Sequence, residues 1–160
     1  MLVNLNQKSK KKLESAVAYK IAPQVMRGSG FDVVNAINSI TPKGIEFHII
    51  DQADDGSIKK ASFCGPNTNL PARLEDYDNK TGTYKSIITP PINKLDEGAL
   101  QHDVAYHNKN LSARHEADRQ LIKVADSVIN DINAKSLQKM SANVVKIILT
   151  GKLKLGLGIS

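Results

Sequence analysis

At 160 residues with a formal charge of +6, the chain fits one compact domain with a modest core, and a second domain is not expected. Apolar residues make up 41% and aromatic residues only 4%, with no Trp, which predicts an aliphatic core of Leu, Ile, Val and Ala suited to packed helices. The single cysteine, Cys64, excludes an internal disulfide, and the positive balance favours a polyanionic partner, either nucleic acid or an anionic membrane surface.

The densest basic run, Lys8 and Lys10 to Lys12, reads as a solvated arm, with a nucleic-acid role as the alternative. No signal peptide is expected, because lysines interrupt the start early. The longest apolar run, at 144–149, is too short to span a bilayer. Leu13, Val17, Ile21 and Val25 recur at helical spacing and predict a leading helix over Gln7 to Met26, with Pro23 near its end. Residues 1–27 are therefore set apart as a basic leading helix or arm, with the domain proper at 28–160. Its core is expected at 61–133 and a C-terminal amphipathic helix at 136–153.

Past the break at Arg27 to Gly30, residues 31–40 could form a further helical turn or two, and the alternation of Ile45, Phe47 and Ile49 suits a short strand. Asp54-Asp55-Gly56-Ser57 signals a turn. From Phe63 to Pro91 the chain carries Gly65, Pro66, Pro71, Gly82, Pro90 and Pro91 with little periodicity, so it is expected to be mostly loop. A loop of that length in a small domain usually binds something or is disordered. Asn93 or Asp96 can cap a helix running to about Asn108, with Asp96 and Glu97 at its positive end. Ser112 is the expected cap of the next helix, with Leu121, Ile122, Val124, Ala125, Val128, Ile129 and Ile132 as its apolar face. Leu137, Met140, Val144, Ile147 and Ile148 form the face of a third amphipathic segment, followed by a tail of alternating Lys, Leu and Gly.

Three groups of residues carry chemistry. His102, Asp103 and Tyr106 cluster on the first strong helix, although an ordinary half-buried helix with a satisfied histidine accounts for that triplet equally well. Asp118 shares an angular position with Leu121, Ile122 and Ala125, which points a carboxylate into an apolar face. Burial of an unpaired carboxylate costs several kcal/mol, so Asp118 needs a partner. A short connection between the two helices implies an antiparallel hairpin that could bring it to His102 and Tyr106, and the alternative is an ion pair with Arg114 or Arg119. A carboxylate on one imidazole nitrogen would fix the tautomer and leave the other nitrogen as a base. In the loop Phe63-Cys64-Gly65-Pro66-Asn67-Thr68-Asn69-Leu70, Gly and Asn tolerate backbone angles that let carbonyl oxygens converge. Calcium takes about six to eight oxygen ligands, which such a loop and Asp103 could begin to supply. A plain turn is the other reading.

The strings FCGPNTNL, NKLDEGALQHDVAY and ARHEADRQLI, in that order, resemble the phospholipase A2-like domain of parvovirus minor capsid proteins and of related viral and mobile-element proteins. The likeness runs from about Phe63 to Ile132. It implies a mainly α-helical, disulfide-free fold: an antiparallel two-helix catalytic core, a calcium-binding loop and flanking helices. It implies Ca2+ as cofactor, held by the carbonyls of Phe63, Gly65 and Asn67 and by Asp103. His102 is then the general base, Asp118 orients it, Tyr106 belongs to the same network, and the Gly65 amide serves the oxyanion. The implied activity is hydrolysis of the sn-2 ester of glycerophospholipids, used to breach a membrane during virus entry. Phospholipid membrane and capsid proteins are the implied partners, nucleic acid is not, and the implied location is the virion or host intracellular membranes. In this sequence Phe63 replaces the family's usual Tyr and Asn67 its last loop Gly, which suggests weakened calcium binding. A membrane- or capsid-binding module of low catalytic power is therefore the alternative function. His48, His107 and His115 are read as surface or packing residues.

Overall fold

The structure, a computed structural model, describes residues 46–156. The leading arm, its lysine run and the segment at 31–40 lie outside the described residues. Within them the architecture is mainly α. Two small antiparallel hairpins precede three helices, α1 (Lys94–Ala105), α2 (Leu111–Asn130) and α3 (Ser136–Lys154).

Strand β1 (Ile50–Gln52) pairs with β2 (Ile58–Lys60) in the register Ile50↔Lys60, Asp51↔Lys59 and Gln52↔Ile58. Their turn uses Gly56 at φ 90°, as the Asp-Gly signal predicts. The strand expected at 45–49 begins later. Residues Phe47 and Ile49 are instead extended and donate their amides to the carbonyls of Pro66 and Cys64, so this segment backs the 63–67 loop. Residues 63–91 are irregular for most of their length, as expected. They hold a short 3-10 turn at Leu70–Ala72 and the hairpin β3 (Leu74–Glu75) with β4 (Ser86–Ile87).

Helix α1 is capped by Asn93, whose side-chain oxygen accepts the Asp96 amide at 3.0 Å. Helix α2 is capped by Asn110 and not by Ser112. The Asn110 side chain accepts the amides of Ser112 and Ala113 at 2.9 and 3.4 Å, so Ser112 lies inside the first turn. Residues His102 and Asp118 meet near one end of the α1–α2 pair, while Gly98 meets Leu121 and Val124 further along, so the two helices run antiparallel. Gly98 allows the close approach. A Cβ there would lie 2.9 Å from Val124 Cγ1 and 3.1 Å from Leu121 Cδ1, which outweighs the roughly 1 kcal/mol that glycine costs inside a helix.

Helix α3 returns antiparallel along α2, with Lys146 paired to Asp126 at 2.6 Å and Lys152 to Asp118 at 3.3 Å. Two expected faces are corrected. Ile132 is 89% exposed, because α2 ends at Asn130 and Asp131 turns extended, out of the helical register. On α3 the buried residues are Gln138, Ser141, Ala142, Val145 and Leu149, and Met140 is 57% exposed. The face is rotated by about one position because Gln138 turns inward to the Gln52 carbonyl at 3.0 Å and Ser141 to Asp51. Phe63, Leu70, Leu74, Leu95, Leu100, Leu121, Ala125, Val128, Val145 and Leu149 form one aliphatic-rich core linking the loop to all three helices.

Candidate active site

The site begins with a buried acid, Asp96, in the first turn of α1. Its Oδ1 accepts the amides of Phe63 and Cys64, both at 2.8 Å, and its Oδ2 accepts those of Ser62 at 2.8 Å and Ile92 at 3.0 Å. One carboxylate thus clamps the start of the 63–67 loop against the helix that carries His102. Beyond the clamp the loop alternates. The carbonyls of Cys64 and Pro66 accept from Ile49 and Phe47, while those of Phe63 and Gly65 turn elsewhere and both lie by the Thr68 hydroxyl, at 3.1 and 3.2 Å. Period-two alternation of an extended segment brings these two oxygens to one place. Asn67 follows at φ 60°, the left-handed region that asparagine tolerates best among non-glycine residues. No Cβ fits at Gly65, since it would lie 1.9 Å from the Phe47 carbonyl oxygen.

His102, on the last turn of α1, lies between two acids. Its Nε2 donates to Asp118 Oδ1 at 2.8 Å, and its Nδ1 faces Asp103 Oδ1 at 3.1 Å. Tyr106 packs against the imidazole at a tilt of 35° with ring centroids 4.4 Å apart, and its hydroxyl donates to the same Asp118 oxygen at 2.6 Å. Asp118 is fully buried, as its place on the apolar face requires. Arg119 pairs with Glu116 at 2.9 Å, while Arg114 donates through Nε to the Asn108 carbonyl at 2.8 Å and lies 5.3 Å over the Tyr106 ring. The cation paired with Asp118 is Lys152.

Burial pulls the His102 pKa down, but hydrogen bonds and charge from Asp103 and Asp118 outweigh it, and the net direction is upward. Burial likewise raises Asp118. The donors His102 and Tyr106 and the Lys152 charge overcome that and hold it below the usual carboxylate value. Burial is the first reason the Tyr106 phenol is pushed far up, the Asp118 contact the second, so it stays protonated. Burial, followed by the charges of Asp96, Asp103 and Asp51, pushes the Cys64 thiol well above its ordinary range, which removes it as a nucleophile. The same effect puts Asp103 within electrostatic reach of the loop. Its Oδ2 is buried with no hydrogen-bond partner.

The structure therefore brings together His102, Asp103, Tyr106 and Asp118, and seats the 63–67 loop on the same helix through Asp96. His48 is a packing residue, fully enclosed, with Nδ1 on the Ala61 carbonyl at 2.9 Å and Nε2 on the Thr68 hydroxyl at 3.2 Å. His107 bonds the Val104 carbonyl at 2.8 Å and has no part in the His102 network. Sequence reasoning missed two contributors. Asp96 was visible only as a helix-start acid, and Lys152 only as one lysine of a tail. The single hint of a distant cation was the buried Asp118 itself.

A helical domain that carries, on one helix, a carboxylate-bound imidazole and a buried acid anchoring a main-chain loop is the class of protein these features define. The family model of the phospholipase A2-like domain matches residues 56–152, more than half of the chain, and the chain belongs to that family. A phospholipase-like function follows in general terms. No curated protein and no solved structure matches it. Among the described residues no helix is long and apolar enough to cross a membrane.

Proposed function

We propose that this chain is a calcium-dependent phospholipase A2 that hydrolyses the sn-2 ester of glycerophospholipids, and that a virus uses it to breach a host membrane during entry. The observation that carries the reading is the contact of His102 Nε2 with Asp118 Oδ1 at 2.8 Å, beside an Asp103 carboxylate with one buried oxygen unpartnered. Family membership supports the reaction class, and the viral setting follows the family's usual context.

The donors available suit a hard cation. Among the described residues no three His, Cys, Asp or Glu side chains converge on a metal position, so a metal here would depend on main-chain oxygens. Phe63 and Gly65 already turn their carbonyls to one place, and Asp103 adds a carboxylate oxygen in need of a partner. These groups and the Asn67 carbonyl would hold Ca2+, which favours such oxygen ligands. Bound there, calcium supplies charge that attracts the lipid phosphate and polarises the ester carbonyl.

The chain's own residues do the rest. Asp118 fixes the Nε2–H tautomer of His102, so Nδ1 carries the lone pair. Nδ1 acts as a base only when Asp103 does not claim it, and a cation held by Asp103 would leave Nδ1 to a water molecule. His102 takes a proton from that water, and the hydroxide adds to the sn-2 carbonyl carbon. The Gly65 amide donates to the resulting oxyanion. On collapse the ester C–O bond breaks, and His102 returns the proton to the lysophospholipid oxygen. No acyl-enzyme forms.

Asn67 in place of glycine favours a second reading, a membrane- or capsid-binding module with little hydrolysis. Fatty-acid release from sn-2-labelled phosphatidylcholine vesicles, with and without calcium and beside a His102→Ala control, separates the two. Calcium-dependent release that the control loses by about 100-fold or more supports the enzyme. Wild type without release at millimolar calcium sinks it in favour of the module.

A further inference from the structure

Asp118 Oδ1 collects three donors, two of them on α1 or its cap: His102 Nε2 and the Tyr106 hydroxyl. The third comes from the last turn of α3. Lys152 Nζ lies 3.3 Å from the same oxygen, donates to the Tyr106 hydroxyl, and sits 4.5 Å from the centroid of the Tyr106 ring. The lysine side chain is only 13% exposed and the Asp118 side chain not at all. Bringing an ammonium into such a place is unfavourable unless it meets an opposite charge, and the carboxylate has the same need. Of the neighbouring cations, Arg119 pairs with Glu116 and Arg114 donates through Nε to the Asn108 carbonyl. Lys152 therefore answers the buried charge on Asp118 from 34 residues away. Its position in the final helical turn, where a cation faces the negative end of the helix, adds to the fit.

We propose that Lys152 is a positioning residue of this site: its charge holds Asp118 Oδ1 and the Tyr106 hydroxyl in place against His102 Nε2, which makes helix α3 part of the catalytic unit. Lys152 works through Asp118 and Tyr106 and not on the substrate. The kinetic consequences rest on the phospholipase reading; the orientation of the His102 ring does not.

The test uses the 160-residue chain and two substitutions. Lys152→Met keeps the aliphatic stem and removes the charge. Lys152→Arg keeps a cation able to lie on the Tyr106 face. In calcium-dependent release from phosphatidylcholine vesicles, Lys152→Met lowers kcat by about 10- to 100-fold, as loss of a supporting partner one step from the reacting group does. KM and the half-saturating calcium concentration stay within about twofold, because neither lipid nor loop contacts change. Lys152→Arg recovers most of the lost kcat. Nitrogen NMR of labelled histidine, recorded with calcium present, reads the His102 ring without turnover: one Nε2–H tautomer in wild type and Lys152→Arg, mixed tautomers in folded Lys152→Met. Unchanged kcat with an unchanged tautomer in Lys152→Met overturns the proposal. So does an equal loss in both variants, or a loss matched by the unfolded fraction while the ring keeps its tautomer. If wild type releases no fatty acid, the phospholipase reading fails and the tautomer comparison alone decides the role of Lys152.

Discussion

His102 Nε2 and Asp118 Oδ1 lie 2.8 Å apart although they stand on different helices, and the carboxylate is fully buried. The contact leaves the imidazole one nitrogen for chemistry. Asp118→Asn presents either an amide NH2 or a weaker acceptor to Nε2, so the tautomer is no longer imposed. A fall in kcat of about 100-fold or more is expected with the helical content retained. Steady-state vesicle hydrolysis beside far-UV circular dichroism checks it, and near-normal kcat would remove Asp118 from the orienting role.

Asp96 supports the loop through four main-chain amides. An asparagine has one carbonyl oxygen to offer and turns an NH2 toward donors, so at least two of those amides lose their acceptor. Asp96→Asn is expected to destabilise the domain by about 3 kcal/mol or more, each orphaned buried donor costing about 1 to 3 kcal/mol. Denaturant unfolding measures this directly. A change under about 1 kcal/mol would mean that the clamp is relieved by water or by loop movement.

Gly65 is enclosed by main chain, with the Phe47 carbonyl oxygen 1.9 Å from where a Cβ would stand. Backbone cannot swing aside as a side chain can. Gly65→Ala should therefore push the loop off residues 47–49, destabilising the fold by about 2 kcal/mol or more. The concentration of calcium needed for half-maximal activity should rise by about tenfold or more. Thermal melting and a calcium titration of vesicle hydrolysis give the two numbers, and an unchanged calcium response would count against the proposed calcium role of Gly65.

His48 gives a pH-dependent test. Burial lowers its pKa below the ordinary 6.5, with Arg73 and Lys60 adding to the shift and Glu46 opposing it. Below pH 6.5 the unfolded chain then binds a proton at this position that the folded chain resists. The His48 contribution is complete above 6.5 and declines as pH falls from there toward the folded pKa. His102, whose pKa is raised, has the opposite slope: its contribution is complete below 6.5 and is lost as pH rises through the folded value. The variant must therefore be compared with wild type at each pH. His48→Gln should be markedly destabilising at about pH 7.5 and less so at about pH 5. An equal penalty at both would show that His48 does not resist protonation in the fold.

Much of the site was legible before any fold was known. Short-range rules narrow the cap to Asn93 or Asp96 and put His102, Asp103 and Tyr106 together on the helix that follows, because each depends on residues within a turn or two. The burial of Asp118 was legible too, since a carboxylate in an apolar face announces its own cost. Errors fell where local rules compete. Asn110 displaced Ser112 as cap because its side chain reaches two amides, and α3 turned by about one position because polar Gln138 and Ser141 found partners on the first hairpin.

The sequence by itself placed His102, Asp103, Tyr106 and Asp118 on two successive helices, because turns and helical faces are set by neighbours along the chain. Only the tertiary structure decided which cation answers Asp118, which carboxylate clamps the loop, and which loop carbonyls turn to the same place. Those choices join residues some 30 positions apart. Periodicity carries no information about them, because they are settled by how helices and loop pack around one core.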